Sequence, residues 1–203
     1  MNLVLATRNP GKVTELRDRL GSLGVELLSA ADVDGAPDVE EDAPSLAGNA
    51  KKKALALHRH TGLPALADDT GLEVYALDMK PGVRSARYAG EKADDSANRK
   101  RLLVNLGAAN KKQGNGDRAA RFRTVLAFAQ GGVVRLFEGQ CEGAIAEKEA
   151  GDGGFGYDAV FRPDGADKTF AEMEPAEKNA ISHRGKALDR FVGYLQTKLD
   201  AVS

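Results

Sequence analysis

The sequence predicts an α/β protein: a mixed β-sheet with flanking helices, arranged as two lobes around a central cleft. Three observations carry this. Up to Asp69 the chain alternates short apolar runs with helical stripes, in the order strand, helix, strand, helix, strand. Further on, Phe122, Thr124, Leu126 and Phe128 alternate with their neighbours, and Gly131-Gly132 followed by VVRLFEG marks an antiparallel hairpin. A chain of 203 residues with 42% hydrophobic content is also long enough to bury a full core, as one domain over residues 1–203 made of two lobes.

The first strand is Leu3 to Ala6, ending at Thr7, Arg8 and Asn9. A helix follows at once, because Asn9 is a good N-cap, Pro10 suits the first helical position, and Val13, Leu16, Leu20 and Leu23 share a face. Val25 to Leu28 reads as the second strand, and the acidic stretch ADVDGAPDVEEDAP has no period and reads as an irregular loop. Ser45 opens a helix with Leu46, Ala50, Ala54 and Leu57 on one side; LPALADD is the next strand and ends at its two aspartates. EVYALDMKPGVRSARYAG, punctuated by Gly and Pro, reads as a surface excursion. Asp94 to Leu106 is predicted helical, with AANKKQGNGD a loop or hairpin tip after it. The last helix carries Leu188, Phe191, Val192, Leu195 and Leu199, with Ser182 as N-cap.

Bulk properties narrow the function classes. A net charge of -1 gives no overall basic field, which argues against non-specific nucleic-acid binding and requires any anionic ligand to be met by local cations. The single cysteine, Cys141, cannot form an internal disulfide and fits a reducing compartment. MNLVLATRN lacks a signal-peptide pattern and no run approaches a membrane span, so a cytoplasmic protein without membrane contact is expected.

Four groups of residues can carry chemistry. Thr7, Arg8, Asn9, Pro10, Gly11 and Lys12 combine a helix N-terminus with two cations, a setting for phosphate, although an ordinary capped helix would read the same way. Asp68 and Asp69 close a strand before Thr70-Gly71, where paired carboxylates suit a divalent cation or a proton acceptor; a solvated turn is the plainer alternative. Glu40, Glu41 and Asp42 are a possible acidic supplement, and of Lys51, Lys52 and Lys53 at most two can face one direction on a helix. Lys178, Ser182, His183 and Arg184 gather donors at the start of the last helix, fitting a carbonyl-bearing ring, a phosphate or a plain capped helix equally. Finally, GDGGFGYDAVF contains G-x-G-x-x-G at Gly151, Gly153 and Gly156. No helix can start there, since Tyr157 to Phe161 is short and β-rich and Pro163 stops it, and a dinucleotide-binding turn is therefore disfavoured.

In this order, TRNPGK, ADDTGL, SARYAG, GGFGYDAVF and SHRGKAL resemble the inosine/xanthosine triphosphate pyrophosphatase family, the Ham1-like enzymes, from Thr7 to about Leu188. The resemblance implies a Mg²⁺-dependent hydrolase, commonly homodimeric, that cuts non-standard purine nucleoside triphosphates (ITP, dITP, XTP) to monophosphate and pyrophosphate in the cleft. It implies triphosphate contacts from Thr7, Arg8, Asn9, Pro10, Gly11, Lys12 and Lys53, and a further substrate contact from Thr70. Asp69 would be the catalytic carboxylate, and Glu41, Asp68 and Asp69 metal ligands, with Glu41 preferred over Glu40. Phe155, Gly156, Tyr157 and Asp158 would form the base pocket with Lys178, His183 and Arg184, the glycines letting the backbone pass close to the purine. The chain departs from the family pattern S-F-x-E-N-A at SLAGNA, where the missing glutamate at Gly48 removes one half of a capping box. A dinucleotide-dependent oxidoreductase and a nucleotide-binding regulatory module without catalysis are the rival readings.

Overall fold

The computed structural model describes residues 1–200, without the side chains of Ser22 and Leu199. Seven strands form one mixed sheet: β1 (Asn2–Leu5), β2 (Glu26–Ser29), β3 (Ala65–Val74), β4 (Lys80–Gly82), β5 (Ala119–Gln130), β6 (Val133–Ile145) and β7 (Phe161–Pro163). Their order is β2-β1-β3-β5-β6-β7, with β4 on β3. The strand pairs β1/β2 and β1/β3 are parallel, whereas β3/β4 and β6/β7 are antiparallel. Five helices flank it: α1 (Pro10–Leu20), α2 (Leu46–Thr61), α3 (Asp95–Gln113), α4 (Pro175–Ile181) and α5 (His183–Asp200).

The chain divides into two compact units, residues 1–69, 124–139 and 184–203 forming the first and 70–123 and 140–183 the second. In unit 1, strand alternation sorts β1 and β3 into two faces. Leu3, Leu5 and Leu66 join Leu16 and Leu20 of α1 and Leu188, Phe191 and Leu195 of α5 in one core, while Val4 and Ala65 pack with Leu57 of α2. In unit 2, Leu72, Leu102, Leu106, Phe122, Tyr157, Phe161 and Phe170 enclose a separate core that also takes in Cys141.

Local signals placed most boundaries within a residue or two. The Asn9 side chain accepts from Lys12 N, and Ser45 Oγ accepts from Gly48 N at 3.1 Å. A side chain at Gly48 would stand 2.7 Å from the Ala43 methyl, so the glycine admits close approach of the preceding loop. The hairpin turn at Gly131-Gly132 has φ of 56° and 79°, the two left-handed residues of a type I′ turn.

Two expectations are corrected. β3 does not end at Asp69 but continues to Val74, because Leu72, Glu73 and Val74 pair with β4, a long-range interaction that overrides the turn signal of Thr70-Gly71. α3 runs seven residues past Leu106 to Gln113: Ala108, Ala109, Lys111 and Lys112 are good helix formers, and Gly114, at φ 66°, ends it. Ser182, in extended conformation, ends a separate short helix, α4, and stands directly before α5, at the expected N-cap position. Of the predicted last stripe, Leu188, Phe191 and Leu195 are buried and Leu199 lies outside the described side chains.

Candidate functional site

The charged residues of unit 1 are organised by β3. Adjacent strand residues point to opposite faces, and the two aspartates accordingly meet different helices. Asp68, on the same alternation as Leu66, faces α1 and α5: its Oδ2 lies 3.0 Å from Lys12 Nζ and accepts from Arg184 Nε and Nη2 at 3.3 Å. Arg184 Nη1 also donates to Glu15 Oε2 at 2.5 Å. Asp69, aligned with Ala65, faces α2, where its Oδ1 accepts from Lys53 Nζ at 3.1 Å and its Oδ2 from Asn49 Nδ2 at 3.3 Å. Lys53 Nζ donates further to Glu41 Oε1 at 2.6 Å and to the Asp68 carbonyl at 2.7 Å.

Sequence spacing had left Glu40 and Glu41 to be separated. Glu41 reaches Lys53, and Glu40 is exposed. Among Lys51, Lys52 and Lys53, Lys53 turns inward, whereas Lys52 pairs with Asp42 at the surface.

The electrostatics differ sharply between the neighbours. Burial opposes ionisation of Asp68, but Lys12, Arg184 and Lys53 outweigh it and hold the carboxyl well below the usual carboxylate range. At Asp69 burial prevails, helped by the nearby Glu41 and opposed by Lys53 and Lys12, and the carboxyl is pushed above its ordinary value. Burial also works against the Lys53 ammonium, yet Asp69, Asp68 and Glu41 together hold its pKa up. The group holds four carboxylates (Glu15, Glu41, Asp68, Asp69) against three cations (Lys12, Lys53, Arg184), one negative charge in excess.

The expected ligand trio does not converge. Among the described residues no three Asp, Glu, His or Cys side chains form a metal-holding cluster. The reason is the strand: Asp68 is turned to α1 and α5, leaving Glu41 and Asp69 together about Lys53.

The TRNPGK turn is built as an anchored helix entry. Thr7 Oγ1 accepts from Asn9 N, Arg8 Nη2 donates to Ala36 O, and Pro10 and Gly11 begin α1, which carries Lys12 inward. Thr70 continues β3 directly after Asp69.

Unit 2 holds the second group. Lys178, buried on α4, donates to Asp158 Oδ2 at 2.9 Å, and its ammonium lies 5.0 Å from the centre of the Phe155 ring. Asp158 Oδ2 also accepts from Phe155 N at 2.8 Å, so one carboxylate fixes both the cation and the aromatic residue. His183 stacks on Phe122 with ring centres 4.4 Å apart. Tyr157 is buried, which raises its phenol pKa, and donates to the Ser85 carbonyl at 2.8 Å. Of the predicted trio, Arg184 is bonded to Asp68 and Glu15, Lys178 to Asp158, and His183 stacks on Phe122.

Most of the glycines in GDGGFG serve the protein itself. A Cβ at Gly151 or Gly153 would stand 2.5 or 2.8 Å from the Ala171 backbone, and one at Gly154 would stand 2.1 Å from Asp158 Oδ2. Only Gly156, at φ 63°, has open space there. At the other three positions the absence of a side chain is required by close packing inside unit 2.

Sequence reasoning gave no role to Glu15 or to Asn49. Asn49 is fully buried, and it joins the acidic loop to the site by accepting from Ala43 N at 2.9 Å. An asparagine on the apolar face of α2, beside Leu46 and Ala50, is the signal that could have found it.

The fold has close counterparts. The Ham1 family model matches residues 3–194. The dITP/XTP pyrophosphatase of Desulforamulus reducens is 49% identical over 96% of each chain, and that of Christiangramia forsetii is 47% identical over 96% of this chain and 99% of its own. A solved HAM1 protein from Coxiella burnetii superposes with a TM-score of 0.89 at 38% identity, covering 97% of this chain and 99% of that one. With the match running through TRNPGK, the paired aspartates and the glycine loop alike, this chain belongs to the Ham1 family.

Proposed function

We propose that this chain hydrolyses non-standard purine nucleoside triphosphates, namely dITP, ITP and XTP, to the nucleoside monophosphate and pyrophosphate, and so keeps the nucleotide pool clean. The observation that carries the chemistry is the enclosed carboxylate group on β3, in which burial makes Asp69 harder to ionise than an ordinary aspartate while Asp68 beside it stays charged. The substrate class follows the names of the relatives, dITP/XTP pyrophosphatases.

Asp69 takes the proton of the attacking water, a task suited to a carboxylate of raised basicity, and Asn49 and Lys53 each hold one of its oxygens. Lys12 and Lys53 neutralise the charge that grows on the phosphates during attack, the main protein contribution to reactions of this type. The excess negative charge and the all-oxygen donors fit Mg²⁺, which uses one or two carboxylates with water and phosphate oxygens. Glu41 and Asp69 would hold it, and it would supply further charge neutralisation. In unit 2, Phe155 offers a stacking face and Lys178 a donor to the carbonyl at C6 of hypoxanthine or xanthine.

Among the described residues no helix is long and apolar enough to cross a membrane. We place the enzyme in the cytoplasm as a homodimer, on its lone cysteine and on the family resemblance. Pyrophosphate release from dITP, XTP, ITP, GTP and ATP, with Mg²⁺ and with EDTA, tests the proposal. Turnover of the first three far above ATP, abolished by EDTA, is expected; release of single phosphates or equal turnover of ATP would overturn it. Light scattering in solution checks the dimer.

A further inference from the structure

Two side chains of α3, one helical turn apart, grip a single residue of the glycine loop. Asp95 Oδ2 accepts from Gly156 N at 2.7 Å, and Arg99 Nη1 donates to Gly156 O at 2.8 Å. Both backbone polar groups of Gly156 are thereby held from one helix face, as the i, i+4 spacing allows. Arg99 does more: its Nε donates to Glu149 Oε2 at 2.9 Å, so one guanidinium ties the start of the loop, Glu149, to its end, Gly156. Only a planar fork with donors in two directions makes both bonds at once. Asp95, Arg99 and Glu149 also line a cavity of about 310 Å³ together with the loop from Gly151 to Gly156.

The grip falls where packing is weakest. Gly151, Gly153 and Gly154 are wedged against Ala171 or Asp158, but no atom lies within 4 Å of the Cβ position at Gly156. Its neighbours are Phe155, whose ring faces Lys178, and Tyr157, anchored on Ser85. A residue at φ 63° between a stacking ring and a fixed tyrosine sets the direction of that ring.

We propose that Asp95 and Arg99 are positioning residues for base recognition: by clamping Gly156 they hold Phe155, and through Asp158 the Lys178 ammonium, in the place where a purine is read. This rests on the pyrophosphatase reading above. Asp95 and Arg99 bond the glycine loop, whereas the proposed proton acceptor Asp69 bonds Asn49 and Lys53, and the clamp is therefore assigned to substrate binding.

The test compares Arg99→Ala, Arg99→Lys, Asp95→Ala and Asp95→Asn with the wild-type chain, by steady-state kinetics on dITP, calorimetric binding of dITP, and hydrogen exchange of the amides in residues 151–158. Arg99→Ala is expected to raise KM roughly tenfold with kcat little changed, and to speed exchange across the loop. Arg99→Lys keeps the charge and stem but loses the fork, and should stay impaired while folding normally. Asp95→Asn retains an acceptor for Gly156 N–H and should recover most of what Asp95→Ala loses. Unchanged KM and binding in folded Arg99→Ala and Asp95→Ala proteins would overturn the clamp, whether or not exchange quickens; so would a fall in kcat alone. If the wild-type chain turns over none of the nucleotides, the pyrophosphatase reading falls by itself, and dITP affinity across the same variants still decides the clamp.

Discussion

Lys12 Nζ lies 3.0 Å from Asp68 Oδ2, and the Asp68 side chain has no exposure at all. The lysine proposed to face phosphate is thus part of a buried ion pair shared with Arg184. Removing one member leaves the others uncompensated, which typically costs about 3–5 kcal/mol. Asp68→Asn should therefore lower the melting temperature markedly at pH 7, as calorimetry would show. The sign with pH follows from the depressed pKa: the stability from the pair is fully present above the unfolded aspartate value of about 3.9 and is lost as pH falls below it towards the folded value. The wild-type protein should lose stability in that acid range more steeply than Asp68→Asn.

Asp69→Asn should behave in the opposite way. Its folded pKa is raised, so the stability linked to it is greatest when it is protonated and is lost as pH rises through the folded value. The amide variant should melt no lower than wild type at pH 7, while kcat falls by roughly 10²- to 10⁴-fold. In the wild type the acid limb of kcat/KM should lie above the ordinary carboxylate range. A folded Asp69→Asn protein with normal turnover would remove Asp69 as the base.

Arg184→Ala tests whether Arg184 serves the Asp68 and Glu15 group or base recognition. Because Arg184 bonds Asp68 and Glu15, its loss should lower stability and slow all nucleotides alike, leaving the ratio of kcat/KM for dITP and ATP unchanged. A narrowed ratio would return Arg184 to base recognition.

Lys178→Ala is expected to narrow that same ratio by about tenfold or more. Hypoxanthine and xanthine present a carbonyl at C6, which an ammonium can donate to; adenine presents an amino group and leaves the buried donor unmatched. The ratio measured for dITP against ATP decides the assignment.

The parts of this molecule set by neighbouring residues were readable in the sequence. Asn9 with Pro10, Ser45 and the Gly131-Gly132 pair act through caps and turns that span a few residues, and each stands where its local chemistry put it. What escaped depends on distant partners. The extension of β3 past Gly71 comes from pairing with β4, and the bond between Arg184 and Asp68 joins positions 116 apart. Lys178, His183 and Arg184 are readable as a group of donors at the start of a helix, but the residues they bond, Asp158 for Lys178 and Asp68 for Arg184, lie elsewhere in the chain. Arg99 escaped for the same reason, since a side chain that serves a distant backbone group advertises nothing in its own surroundings.

The alternation of β3 makes the division of labour between the two aspartates a matter of parity. Even-numbered Leu66 and Asp68 look towards α1 and α5, odd-numbered Ala65 and Asp69 towards α2. Two identical side chains, one peptide bond apart, thus obtain opposite acidities from nothing more than their count along the strand. A chain shortened by one residue between Ala65 and Asp68 would keep its composition of acids and cations, yet the register beyond the cut would turn inside out, turning Asp68 towards α2 and Asp69 towards α1 and α5, and the two acidities would exchange with their surroundings.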